Sequence, residues 1–96
     1  MPVQTPYVPR PIASKLNITA QTVVKASPGK LFTVSVTTAG TTAGTANDAA
    51  TTGAVAASNL IGSFEAVGLY EFQEWPCANG IVITPGTGQV LSVSFA

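Results

Sequence analysis

Eight charged side chains, one cysteine and no histidine are all that this 96-residue chain offers to acid–base, nucleophilic or metal chemistry. General acid–base catalysis needs two titratable groups held close together with separated pKa values. Glu71 and Glu74 are the only close carboxylate pair, and three residues apart on a strand they face opposite sides of a sheet. They read as solvated surface charges. A serine nucleophile has no histidine to activate it, and the Cys and His clusters of zinc and other transition-metal sites are missing. Asn47 and Asp48 with loop carbonyls make a poor calcium set, because the single carboxylate lacks an acidic partner. Gly40-Thr41-Thr42-Ala43-Gly44 is rich in glycine, but no Gly-Lys-Ser/Thr follows it and no helix starts there, so it does not read as a phosphate loop. The expectation is a protein that is not an enzyme, with no metal and no cofactor.

Binding remains. Tyr70 and Phe72 share one face of a strand and read as core, whereas Trp75, on the other face and beside Pro76 at the strand end, suits an interface. Residues 1–12 carry prolines at 2, 6, 9 and 11, which fix φ and remove backbone donors, so this segment can be neither helix nor inner strand. It reads as an extended arm, and a dozen residues in polyproline geometry reach about 37 Å. Pro6, Tyr7, Pro9 and Arg10 are its candidate interface residues, with Tyr7 its large apolar group and Arg10 its charge.

The elements that would position these residues are short and β-type. Residues 21–26 and 31–38 are rich in Val, Thr and Phe, and Ser27-Pro28-Gly29-Lys30 between them has the Pro and Gly placement of a type II turn. In the second run Phe32, Val34 and Val36 alternate with Thr33, Ser35 and Thr37, as in a strand with one buried face. Residues 39–58 are nearly all Ala, Thr and Gly and read as a long loop, with a brief strand at 45–48 and a turn near 53–57. Residues 60–64 and 69–75 read as a hairpin, and residues 80–84 and 90–95 as a second one. A five-residue loop in the second hairpin would set Ile81, Ile83, Leu91, Val93 and Phe95 on one face. Strands at this spacing indicate an all-β domain, a small sandwich or barrel of six to seven short antiparallel strands over residues 13–96.

Composition narrows the partners. Formal net charge is zero, and the four basic residues are too dispersed to neutralise a row of phosphates, so nucleic acid is not expected. No run approaches the roughly 20 apolar residues of a membrane span, and the N-terminus lacks the basic and apolar regions of a secretory signal, so a soluble chain is expected. Asn17-Ile18-Thr19 is then a chance glycosylation match. Cys77 is alone and reads as a half-buried thiol.

One further pattern lies in the order of segments: Ser27-Pro28-Gly29-Lys30-Leu31, residues 34–40, Asn47-Asp48-Ala49, then residues 75–83 from Trp75-Pro76-Cys77, and last Pro85-Gly86-Thr87-Gly88-Gln89-Val90. This order, over about two-thirds of the chain, resembles small virion structural proteins of tailed bacteriophages. The resemblance implies a head decoration or cement protein in the virion, assembled in the host cytoplasm. Its partners would be the major capsid protein or other virion proteins and sister copies in a homo-oligomer. A tail adaptor or receptor-binding β module of the virion is the alternative. An inhibitor of a host enzyme and a nucleic-acid-binding barrel are further rivals, the latter lacking a basic groove.

Overall fold

A computed structural model describes residues 12–96. Eight strands follow one another: β1 (Ala13–Ile18), β2 (Thr22–Lys25), β3 (Gly29–Thr38), β4 (Gly44–Asn47), β5 (Leu60–Phe64), β6 (Gly68–Cys77), β7 (Ile81–Thr84) and β8 (Val90–Phe95). Two single-turn 3-10 helices, Thr52–Ala54 and Ala57–Asn59, interrupt the β4–β5 connection. The strands form two antiparallel sheets, ordered β1-β8-β3-β6 and β2-β7-β4-β5. Only β4 and β5 are neighbours in both chain and sheet; every other connection crosses from one sheet to the other. This winding of two Greek keys is the jelly-roll architecture. The expected all-β class holds, with eight strands rather than six or seven. Of the proposed arm, only Ile12 lies within the described residues.

The core forms where the two sheets face each other. Leu31, Val34, Val36, Leu91 and Val93 of one sheet meet Ala46, Phe64, Ile81 and Ile83 of the other, with Ile18 and Cys77 closing the cluster. The ring of Phe64 on β5 lies 5.9 Å from that of Tyr70 and 6.5 Å from that of Phe72, both on β6, so these two edge strands oppose each other across the sandwich. Tilted and edge-on contacts of this kind are preferred aromatic geometries.

Both expected hairpins are absent, for one reason. Strands close in sequence pack across the sandwich instead of zipping into a ladder. β5 pairs with β4 and β6 with β3; β7 pairs with β2 and β4, and β8 with β1 and β3. The five residues between β7 and β8 carry the chain over the end of the sandwich, and Ile81, Ile83, Leu91 and Val93 still meet, now as facing side chains of opposite sheets. Val82, which points away from Ile81 and Ile83 and lies between Val23 and Asn47 in the register, is fully buried as well. The type II turn at residues 27–30 also does not form. Gly29 is not in the left-handed region which that turn requires at its third position. It opens β3 opposite Cys77, where a Cβ would strike the Ala96 carbonyl.

The register of β3 against β8 slips twice, between Leu31 and Thr33 and between Val36 and Thr38. Between Leu31 and Thr33, β3 carries one residue more than β8, a bulge that leaves Phe32 half-exposed and turns Leu31 inward. The Ala/Thr/Gly segment resolves into β4, an inner strand, and a cover formed by residues 48–59. The brief strand read there from sequence is present as β4, and in place of the single turn expected near 53–57 two short 3-10 helices form, Thr52–Ala54 and Ala57–Asn59.

Burial assigns the two faces of β8 different energetic weight. Val93→Ala is expected to destabilise the fold by about 2–3 kcal/mol as a core truncation, and Ser92→Ala by less than about 0.5 kcal/mol, measured by urea unfolding.

Candidate interaction surface at the sheet edges

The polar side chains best placed by sequence to do chemistry are taken up by the connections at the ends of the sandwich. Asp48, just after β4, accepts backbone N–H groups from Ala78 (2.9 Å, Oδ2) and from Asn79 and Gly80 (2.8 and 3.2 Å, Oδ1). Burial pushes this carboxyl up, but the three N–H donors of Asn79, Ala78 and Gly80 together outweigh it and hold the pKa below 3.8. Both carboxylate oxygens are thereby engaged in tying the β6–β7 connection to β4, and the calcium reading of Asn47 and Asp48 loses its anionic ligand. Asn47 is buried and donates through Nδ2 to Asn59 Oδ1 (2.9 Å) and the Ala56 carbonyl (3.1 Å), which pins the cover over β4.

The other end is held in the same manner. Gln89 is fully buried; its Nε2 donates to the Phe64 carbonyl at 3.0 Å and its Oε1 accepts from the Gly86 N–H at 3.0 Å. The Tyr70 hydroxyl donates to the Ala66 carbonyl (3.0 Å) and accepts from the Glu65 N–H (3.3 Å). The Thr87 N–H donates to Thr42 Oγ1 at 2.8 Å, and the close approach leaves no room for a side chain at residue 86, where a Cβ would strike the Thr42 carbonyl. The glycine-rich run 40–44 thus serves packing between connections.

Cys77 is buried in the core, more deeply than expected from sequence. Burial chiefly, and the charge of Asp48 next, push its thiol up to about 11, against a partial offset from the backbone hydrogen bond with Leu31. A thiol so protonated is a poor nucleophile. Among the described residues no group of three or more His, Cys, Asp and Glu side chains could hold a metal ion.

Several large apolar side chains stay exposed to solvent. Leu16 on β1, and Val67, Leu69 and Trp75 on or beside β6, are 69%, 64%, 62% and 46% exposed. These strands are the two edges of one sheet. The β6 edge has an unusual backbone. Gln73 and Glu74 are both left-handed, with φ of 52° and 60°, which costs a non-glycine residue on the order of 1–2 kcal/mol each. They belong to a bulge: Leu31 lies opposite Trp75 and Thr33 opposite Glu71, so β6 spends two residues more than β3 over the same stretch. The bulge corrects the expectation that Trp75 lies on the face away from Tyr70 and Phe72. It brings Trp75 opposite Leu31, where with Ile61, Phe72 and Pro76 it lines an open groove of about 420 Å³ bordered by Glu71 and Gln73.

Compared with known protein families, curated proteins and solved structures, the chain matches none of them. The surface therefore has to be read from its own chemistry. Of the interface residues expected from sequence, Trp75 is half-exposed at the groove, while Pro6, Tyr7, Pro9 and Arg10 lie outside the described residues. Sequence reasoning missed Ile61, Gln73 and Pro76. The pairing that assembles the groove runs across the sandwich, and nothing in Gln73-Glu74 signals a left-handed pair. Glu74 sits 3.5 Å from Lys30 Nζ at the surface, an ion pair worth about 0–1 kcal/mol.

Because folding lowers the Asp48 pKa, the contribution of its clamp is present above pH 3.8 and is lost as the pH falls below 3.8 and through the folded value. Asp48→Asn is expected to cost about 2 kcal/mol at pH 7 and progressively less as the pH falls below 3.8, which urea unfolding across that range would show. Cys77 has the opposite sense of shift. Its folded thiol keeps a proton that the unfolded thiol releases near pH 9.0, so stability should fall as the pH rises from 9.0 to about 11. Cys77→Ala should flatten that decline, and at pH 8 thiol reagents should label the native protein only as fast as it opens.

Proposed function

We propose that this protein is a structural component of a virus particle, a decoration or cement protein that stabilises the head of a tailed bacteriophage by bridging major capsid subunits. The observation that carries the reading is the division of labour among its side chains. The carboxylate, amide and hydroxyl groups at the ends of the sandwich hold connections, while the exposed edge around β6 presents the apolar side chains of Trp75, Leu69 and Val67 with Glu65, Glu71 and Glu74 at its rim. Such a surface suits binding by area and shape, and specific interfaces of about 800 Å² per partner are built from apolar centres of this kind with polar rims. Tryptophan is among the residues that most often dominate such contacts. The jelly roll is compatible with this use, since viral capsid domains share it, but lectins and cupins share it too and the architecture alone assigns no function. The resemblance in segment order to small phage virion proteins supplies the choice of particle.

The test is addition of the purified protein to heads that lack it. Saturable binding that raises the temperature at which the heads open is expected. Trp75→Ala should weaken binding at least tenfold while the protein keeps its thermal unfolding midpoint. Binding to isolated tails or to host cells, with none to heads, would move the protein to the tail; no binding to any particle would end the virion reading.

A further inference from the structure

Five large exposed apolar residues, Ile12, Leu16, Val67, Leu69 and Trp75, lie on or beside opposite edges of one sheet, where the flanking charges differ in sign; Val23 and Leu60 lie on the edges of the other sheet. At the β1 edge stand Ile12 and Leu16 with Lys15, preceded in the chain by Arg10; at the β6 edge stand Leu69 and Trp75 with Glu65, Glu71 and Glu74, the last already engaged by Lys30. The register places the two edges level. Ala13 lies opposite Phe95, Phe95 opposite Leu31, and Leu31 opposite Trp75, so the point where residues 1–11 join β1 and the groove at Trp75 lie on one row, three strand spacings or about 14 Å apart.

Residues 1–11 have the composition that such a groove takes. Four prolines favour an extended backbone, and proline-rich segments dock in aromatic-lined grooves because little conformational entropy is lost. Eleven residues reach about 34 Å. To enter the groove of its own molecule, the segment would have to double back across the end of the sandwich from the opposite edge. Set side by side, one copy's β1 edge faces the next copy's β6 edge, and the segment meets the groove directly.

We propose that residues 1–11 of one copy occupy the Trp75 groove of a second copy, with prolines and Tyr7 against Trp75 and Phe72 and Arg10 beside Glu71. The contact is head-to-tail, one surface supplying the segment and a different surface the groove, so each copy can give and receive. The same approach brings Ile12 and Leu16 of one copy toward Leu69 of the next, covering apolar surface that is otherwise exposed on both edges. The inference does not depend on the virion reading, since it concerns copies of this chain alone.

A complementation experiment with the purified protein decides it. A variant lacking residues 1–11 keeps the groove, and Trp75→Ala keeps the segment. Sedimentation should show the full chain associating, each variant alone at least tenfold weaker, and an equimolar mixture forming a 1:1 dimer that grows no further. Trp75 is the only tryptophan, so its emission in the full chain should shift to the blue with concentration and stay fixed in the truncated protein. Should Trp75→Ala fail to fold, Glu71→Arg takes its place. The double variant Arg10→Glu, Glu71→Arg should then recover the association that either single change loses. A monomeric full chain, a mixture that stays monomeric, or a tryptophan shift independent of concentration would overturn the proposal. The last of these would place the segment in its own molecule's groove. Head binding of the truncated protein, which keeps Trp75 but lacks the segment, separates the two: head contact made by Trp75 itself survives the truncation that abolishes self-association.

Discussion

Strands that follow one another in this chain are, with a single exception, sent to opposite sheets, and so the sandwich cannot grow by closing local hairpins. Each ladder joins segments distant in sequence, and the loop-closure entropy of those pairings is spent before the core rewards it. The connections therefore have to be fixed where they cross the ends. Asp48 does this at one end by gathering three backbone N–H groups, and Gln89, Tyr70 and Thr42 do it at the other. A buried amide such as Gln89 is tolerable because its hydrogen bonds are made, and its removal would strand the Phe64 carbonyl.

That use of polar groups explains the unusual composition as much as function does. A small domain with little charge to spare places the carboxylate of Asp48 and its buried amides where backbone groups would otherwise lack partners. The outer face of the β1-β8-β3-β6 sheet is left to hydroxyls: Ser14, Ser94 and Thr33 lie in one row, and the Thr33 and Ser94 side chains share a 2.6 Å hydrogen bond. Between this hydroxyl-rich face and the apolar edges, the surface has the means to adhere over area and few means to react.

The sequence made the class of fold legible because alternation and burial are local. Val34, Val36, Leu91 and Val93 face inward as their spacing indicates, and β4 shows through the Ala/Thr/Gly segment despite its poor composition. Pairing was not legible. Residues 60–64 and 69–75, separated by a short polar link, carry the same signal whether they zip together or pack face to face, and only the competing partners β4 and β3 decide. Phase errors arose at bulges, where one extra residue beside Leu31 and two beside Trp75 reset which side chains face the core. β1 was passed over because its one buried residue, Ile18, gives no alternation to detect. The significance of Trp75 was legible from its type and from Pro76; the groove around it was not, since Ile61 arrives from the other sheet.

The left-handed pair Gln73 and Glu74 also bears on solubility. An open edge strand is a template for further strands, and a chain with so little charge has weak electrostatic protection against stacking into fibrils. By kinking β6 partway along, the pair breaks the row of backbone donors and acceptors into pieces too short and too misaligned to recruit another β-strand by ladder bonding. Pro76 removes one more donor from the same edge. The backbone strain held at this edge thus acts as insurance against amyloid-like growth, and it permits side chains there to stay sticky while the main chain does not.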